Sequence, residues 1–118
     1  MVQHLTLQDT ILTAAAYLQA GRLEEALESA REAVRLAPGD AEAHNTLGQV
    51  LQALGEFDKA IEAYQRAAAL PGAAAEHARV NHAVLLMEKG LIPEAISAFD
   101  SVLADYPRSV PAWTNRAD

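Results

Sequence analysis

The sequence predicts an all-α protein made of three helical hairpins, and two features of the chain carry this prediction. Apolar residues recur three or four positions apart along most of the chain, which is the spacing of one buried helix face. Glycines interrupt this pattern at Gly21, Gly55 and Gly90, which are 34 and then 35 residues apart. A near-constant period of this length indicates a repeat protein whose unit is a pair of helices.

The first hairpin is predicted over residues 7–40. Its first helix begins after Thr6, a plausible N-cap with the acidic Asp9 three positions further on. Its second helix ends before Pro38, which cannot continue a helix. Ala30 stands where the later hairpins carry a large aromatic residue, so we expect this hairpin to pack more thinly.

The second hairpin is predicted over residues 41–75, with Asp40 as its N-cap. The third is predicted over residues 76–109 and begins with a helix at Glu76–Lys89. Its second helix opens at Pro93, because proline in a first turn removes no helical hydrogen bond.

Small and aliphatic residues recur with the same period in three sets, namely Ala14, Gly48 and Ala83; Ala26, Ala60 and Ala95; and Leu27, Ile61 and Ile96. The period, these columns and the closing prolines resemble the tetratricopeptide repeat, whose signature is matched in the central unit by Leu47-Gly48, Ala60, Tyr64 and Ala67. The resemblance covers nearly all of residues 1–118 and implies one domain. Its implied fold is a right-handed α-α superhelix of three helix-turn-helix hairpins plus a partial fourth first helix over residues 110–118, capped by Ser109.

Composition excludes several classes of protein. A formal charge of −7, a pI near 5.0 and scattered basic residues argue against nucleic acid or anionic membrane as a partner. The chain has no cysteine, and therefore no disulfide framework or thiolate site. It has no apolar run of transmembrane length, and its first residues lack the basic and apolar pattern of a secretory signal. We therefore expect no membrane insertion and a cytoplasmic location.

Nothing in the sequence predicts an enzyme, a cofactor or a metal site. His77 and His82 are five positions apart, which places them about 140° apart around a helix, and no carboxylate follows at ligand spacing. The acidic residues of the second helix fit a solvated face better than acid–base chemistry, with Glu28 expected to pair with Arg31 or Arg35. Phosphate-binding loops and catalytic triads are also missing from the sequence.

The resemblance implies a concave surface lined by the first helix of each hairpin, because stacked hairpins wind into a shallow superhelix. Its predicted lining is Gln8, Ile11 and Leu18 from the first hairpin, Glu42, Asn45, Gln49 and Gln52 from the second, and His77, Val80, Asn81, Val84 and Met87 from the third. Such a lining could bind an extended peptide, whose backbone would bond to the amides. In the alternative interpretation Ile11, Leu18, Val80 and Val84 are simply buried between helices.

Related domains that hold the C-terminal carboxylate of heat-shock chaperones use lysine, asparagine and arginine on this surface. The equivalent positions here carry Ile11, Ala15, Thr46, His77 and Asn81, so the sequence argues against carboxylate capture.

We therefore predict a protein-interaction module that binds a peptide or partner protein as a scaffold or adaptor. One alternative is a self-assembly element, since apolar residues at both ends, Leu12 and Trp113 among them, favour a homodimer. Another is the N-terminal interaction arm of a larger enzyme such as a transferase, because the fourth unit is incomplete and suggests truncation.

Overall fold

The computed structural model describes residues 6–107, and within this range every regular element is an α-helix. The helices are α1 (Leu7–Gln19), α2 (Leu23–Leu36), α3 (Ala41–Ala53), α4 (Phe57–Ala68), α5 (Ala73–Glu88) and α6 (Ile92–Asp105). Consecutive helices pack as three hairpins, and α3 also contacts both α1 and α5. The resulting array measures 52 by 27 by 20 Å, and the predicted all-α hairpin superhelix is confirmed.

Side-chain caps fix the start of the first two hairpins as expected. The Asp9 amide donates to Thr6 Oγ1 at 3.0 Å and the Thr6 amide donates to Asp9 Oδ2 at 3.2 Å, so each satisfies a backbone donor of the other. The Ala43 amide donates to Asp40 Oδ1 at 3.0 Å. These caps set the point at which α1 and α3 begin.

The same turn joins the two helices of every hairpin. Gly21, Gly55 and Gly90 have φ of 76°, 80° and 82°, a left-handed conformation that costs glycine little. After each glycine, the next amide donates back across the turn at 2.9 Å, to the carbonyls of Tyr17, Leu51 and Leu86 in turn. Glycine recurs at this period because the chain reverses in the same way three times.

Within each hairpin a small residue of the first helix lies near the second helix. A Cβ added at Gly48 would lie 2.5 Å from two carbons of the Tyr64 ring, so the second hairpin is closed by glycine against an aromatic ring. The first hairpin has Ala14 and Ala30 instead, and Val50 of the next hairpin is buried in the same cluster. Val50 of the second hairpin therefore contributes to the packing around Ala30, where we expected the packing to be thin.

The third hairpin differs from the expected bounds. Its first helix begins at Ala73, three residues before Glu76, and ends at Glu88. Residues 73–75 are all alanine, which has the highest helix propensity, so the extra length lengthens the helix rather than the loop. Pro93 lies in the first turn of α6, as predicted. The cap at Ser109, the fourth helix and Trp113 lie outside the described residues.

Candidate functional site

An open groove of about 420 Å³ lies where the first helices of the hairpins meet, and we call it the inner groove. Helices α1, α3 and α5 supply most of its lining, and α4 contributes one aromatic ring. The lining consists of Leu18, Gln49, Gln52, Ala53, Tyr64, Asn81, Val84 and Glu88. Amide side chains therefore occupy its centre, and aliphatic side chains flank them.

A chain of hydrogen bonds holds one end of the inner groove. The Tyr64 hydroxyl donates to Gln52 Oε1 at 2.7 Å, and Gln52 Nε2 donates to Glu88 Oε2 at 2.9 Å. The chain crosses from α4 through α3 to α5. Burial raises the pKa of the Tyr64 hydroxyl well above its usual range, and the Glu88 charge adds to this, so the hydroxyl stays protonated and donates.

A second hydrogen bond joins α3 to α5 further along the groove. Asn81 Nδ2 donates to Asn45 Oδ1 at 2.9 Å. Asn45 is only 8% exposed, so its carbonyl is satisfied by this bond rather than by solvent. Asn81 keeps its own carbonyl and one N–H for another partner.

The structure brings together five of the residues that the sequence placed on the concave surface, namely Leu18, Gln49, Gln52, Asn81 and Val84. Gln49 is exposed, and its side chain has no hydrogen-bond partner within the described residues. Gln8, Glu42 and His77 are exposed but do not line the groove.

Three other predicted residues are packing residues. Ile11 and Val80 are each 4% exposed, the first against Ala33 and Ala43 and the second in the cluster around Phe99. Met87 is half-buried against that same third-hairpin cluster. For Ile11 and Val80 the buried alternative is therefore the correct one, because each faces a neighbouring helix.

Sequence reasoning missed Ala53, Tyr64 and Glu88 as groove residues. Tyr64 matched a packing position of the repeat, and at 1% exposure it is indeed buried, but its hydroxyl also reaches Gln52 in the groove. The available signal was the contrast with Phe99 at the same position of the third hairpin, since a buried tyrosine needs a polar partner. Glu88 lies one turn after Val84 and two after Asn81, on the same face of α5.

The charge of the inner groove is negative. Glu88 is the charged side chain of its lining, and the neighbouring Lys89 instead pairs with Asp58, Nζ to Oδ1, at 3.5 Å. Amides and one carboxylate can form hydrogen bonds and attract cations, and they offer no nucleophile. In residues 6–107 no three histidine or acidic side chains are grouped to hold a metal ion, and no helix there could cross a bilayer.

Comparison with solved structures places similar proteins on the same fold. A crystal structure of MamA superposes with a TM-score of 0.77 at 25% identity over 95% of this chain, which spans 65% of that structure. A crystal structure of the Yersinia enterocolitica chaperone SycD, described as an alternative dimer, superposes with a TM-score of 0.79 at 24% identity, over 98% of this chain and 89% of that one. SycD in complex with a peptide of the translocator YopD matches with TM-score 0.76, 23% identity and coverage of 96% and 85%.

The second tetratricopeptide repeat domain of human RPAP3, in complex with the HSP70 peptide SGPTIEEVD, superposes with a TM-score of 0.75 at 16% identity, over 95% of this chain and 96% of that one. No curated protein sequence matches the chain significantly. Two family models described as tetratricopeptide repeat match residues 12–75 and 77–109. The first alone spans more than half of the chain, and the chain therefore belongs to the tetratricopeptide repeat family.

Proposed function

We propose that this chain is a scaffold or adaptor module whose inner groove binds an extended peptide segment of a partner protein. The observation that carries the proposal is the set of hydrogen-bonded amides along an open groove of about 420 Å³. An extended peptide has unpaired backbone donors and acceptors, and amide side chains can satisfy both. SycD and RPAP3, which share the fold, are each seen with a bound peptide.

The hydrogen bonds between groove residues favour binding because they fix side chains before a ligand arrives. Gln52 is held at both ends, by Tyr64 and by Glu88, and Asn81 is held by Asn45. Side chains that are already ordered lose less conformational entropy when a ligand binds. Gln49, which is exposed, supplies an adaptable contact between them.

The walls of the groove define the ligand further. Leu18 and Val84 offer aliphatic contacts for side chains that alternate along an extended strand. Glu88 is a carboxylate, and no cationic side chain accompanies it in the lining. We therefore expect the groove to favour a peptide with a basic or amide side chain next to an apolar one, and to disfavour an acidic C-terminus of the kind in the RPAP3 complex.

The proposal is tested by selecting peptides from a displayed random library on the folded chain and measuring their affinity by fluorescence anisotropy. Gln49→Ala together with Val84→Ala should weaken binding by about 10-fold or more, which corresponds to about 1.4 kcal/mol. Gln65→Ala is the matched control, since Gln65 is an exposed glutamine of α4 outside the groove. Equal affinity of the groove variant and the control, with unchanged circular dichroism, would contradict the proposal.

Self-association is the second candidate, and an exposed apolar patch at the start of α6 favours it. Leu91, Ile92 and Ile96 are 38%, 44% and 43% exposed, and the last two lie one turn apart on one face. SycD, which shares the fold, is described as a dimer. Sedimentation equilibrium should then show a dimer that Ile92→Ser with Ile96→Ser dissociates, and a monomer mass of the wild-type chain at all concentrations would refute it.

A further inference from the structure

A second groove lies on the other side of the array, between the second helices of the first two hairpins. It has a volume of about 300 Å³ and is bounded by α2 and α4 with α3 beneath; we call it the outer groove. Its apolar floor includes Val34, Leu47 and Ala63, which are buried or half-buried. Its rim carries cations, which the inner groove lacks.

Three basic side chains stand on this rim, Arg31 from α2 and Lys59 and Arg66 from α4. Glu62 is the carboxylate among the lining residues, so the charges sum to 3 − 1 = +2. The whole chain has a formal charge of −7. The excess of positive charge is confined to the lining of this groove, since Glu56 pairs with Lys59 just outside it and the face of α2 beyond Arg31 carries Glu24, Glu28 and Glu32.

Both rim arginines lack the carboxylate partners that three other arginines have. Arg22 pairs with Glu25, Arg35 with Glu32, and Arg79 with Asp105. Within residues 6–107 no carboxylate lies within ion-pair distance of Arg31 or Arg66. The pairing of Glu28 with Arg31 or Arg35 expected from the sequence is therefore wrong, because Arg35 bonds to Glu32 and Arg31 faces the outer groove.

The two grooves use different faces of α3. Gln49 and Gln52 face the inner groove, whereas Leu47 and Leu51 face the outer one. At 3.6 residues per turn the mean directions of these two pairs differ by about 150°. A ligand in one groove therefore leaves the other accessible.

We propose that the outer groove is a second binding site, whose ligand is an acidic peptide segment of a partner protein carrying an apolar side chain. Arg31 and Arg66 bind its carboxylates, because guanidinium groups form paired hydrogen bonds with carboxylates and here have no competing partner. Lys59 adds charge, since its own pair with Glu56 is long, at 3.3 Å, and exposed. The apolar floor accepts the aliphatic side chain.

The floor also separates this ligand from nucleic acid. A phosphate backbone offers charge without an aliphatic side chain to fill the space over Val34 and Leu47. The three cations of the rim are also few for a surface that tracks a nucleic acid, on a chain that is acidic elsewhere. An acidic peptide with an apolar residue satisfies both the rim and the floor.

The test uses fluorescence anisotropy with a short labelled peptide in which glutamate and leucine alternate. We expect saturable binding that weakens with added salt, because exposed charges are screened within about 8–10 Å at physiological ionic strength. The same peptide with lysine in place of glutamate fits the inner groove with its Glu88 instead, so any binding of it should be unaffected by removal of the outer-groove arginines. Arg31→Gln with Arg66→Gln should weaken the binding of the acidic peptide by about 10-fold or more.

The control is Arg22→Gln with Arg35→Gln, which also removes two positive charges, but from arginines that already pair with carboxylates. Affinity within about twofold of wild type is expected for this control, a change of about 0.4 kcal/mol. Equal loss in both double variants would mean a general charge effect and would overturn the proposal. Absence of saturable binding up to about 1 mM would overturn it as well.

A final variant assigns the ligand to a groove. Gln49→Ala should leave the affinity for the acidic peptide unchanged, since Gln49 lines only the inner groove. If Gln49→Ala weakens binding as much as the arginine variant does, the acidic peptide lies in the inner groove and the outer site is refuted. All these side chains are exposed, so thermal midpoints should remain close to that of the wild type.

Discussion

Replacing Gly48 by alanine tests how closely the two helices of the second hairpin approach. The added Cβ would lie 2.5 Å from Tyr64 Cδ1 and Cε1 and 3.0 Å from Cζ. Carbon atoms in contact prefer about 3.5–4.0 Å, so the ring must move by about 1 Å. Tyr64 is 1% exposed and its hydroxyl is bonded to Gln52, which leaves the ring little room to move.

Three contributions set the size of the effect. Overpacking a buried site costs about 1–3 kcal/mol. Weakening the bond from Tyr64 to Gln52 adds about 1 kcal/mol, and the better helix propensity of alanine returns about 1 kcal/mol. We therefore expect Gly48→Ala to lower the free energy of unfolding by about 1–3 kcal/mol, although the same change in an unconstrained helix would raise it.

Urea denaturation followed by circular dichroism measures this effect, with two comparisons. Gly39→Ala is the control, since a Cβ at Gly39 meets nothing within 4 Å. In a Tyr64→Ala background Gly48→Ala should be neutral or stabilising by up to about 1 kcal/mol, because the ring is gone and the pair then matches Ala14 and Ala30 of the first hairpin. An unchanged stability of Gly48→Ala, or the same penalty in both backgrounds, would refute the reasoning.

Three other predictions concern stability. Burial lowers the pKa of His82 below 6.5, so as the pH falls the unfolded state takes up a proton before the folded state does. The free energy of unfolding should therefore be highest above pH 6.5 and fall as the pH drops towards the folded pKa of His82. Urea titrations across pH should show a smaller fall for His82→Gln than for the exposed control His77→Gln. Asp40→Ala should cost about 1 kcal/mol through loss of the α3 cap, and an equally stable variant in thermal denaturation would contradict the capping assignment. Ala60→Leu should destabilise by about 1–3 kcal/mol, because Ala60 has no exposed surface, and an unchanged thermal midpoint would mean that the hairpin has room there.

The fold was largely predictable because its signals are local. The turn at Gly55 and the cap at Asp40 each depend on a few neighbouring residues, and the repetition of such features fixes the hairpin as the unit. The start of α5 was harder to place, since alanine at residues 73–75 is compatible with either a loop or a helix until packing decides.

The inner groove was predictable only in part. The resemblance to the tetratricopeptide repeat placed Gln49 and Gln52 on the face of α3 that lines the groove, but it could not tell whether Ile11 faced the groove or the next helix. That choice depends on how far each hairpin is rotated against its neighbour. Contacts between helices distant in sequence, such as Gln52 with Glu88, carry no local signal at all.

The outer groove could not be predicted from the sequence. A helix that places Glu28 three residues before Arg31 allows an ion pair on its surface, and the sequence alone does not show which partner each arginine takes. In the structure Glu32 pairs with Arg35, and Arg31 lines the same groove as Arg66 of the next hairpin. The charge of that surface therefore depends on the stacking of hairpins.

The two hydrogen bonds that join α3 to α5 give the array an uneven stiffness. Asn45 and Gln52 are seven residues apart, or about 10 Å along the helix, and bonds at two such points oppose pivoting of α5 against α3. One period earlier, α1 carries Ile11 and Leu18 at the matching positions, and within the described residues no side-chain hydrogen bond joins α1 to α3. Aliphatic contacts are non-directional and permit small sliding movements, whereas hydrogen bonds require a fixed geometry. We therefore expect bending of the superhelix to be easier at the first junction than at the second.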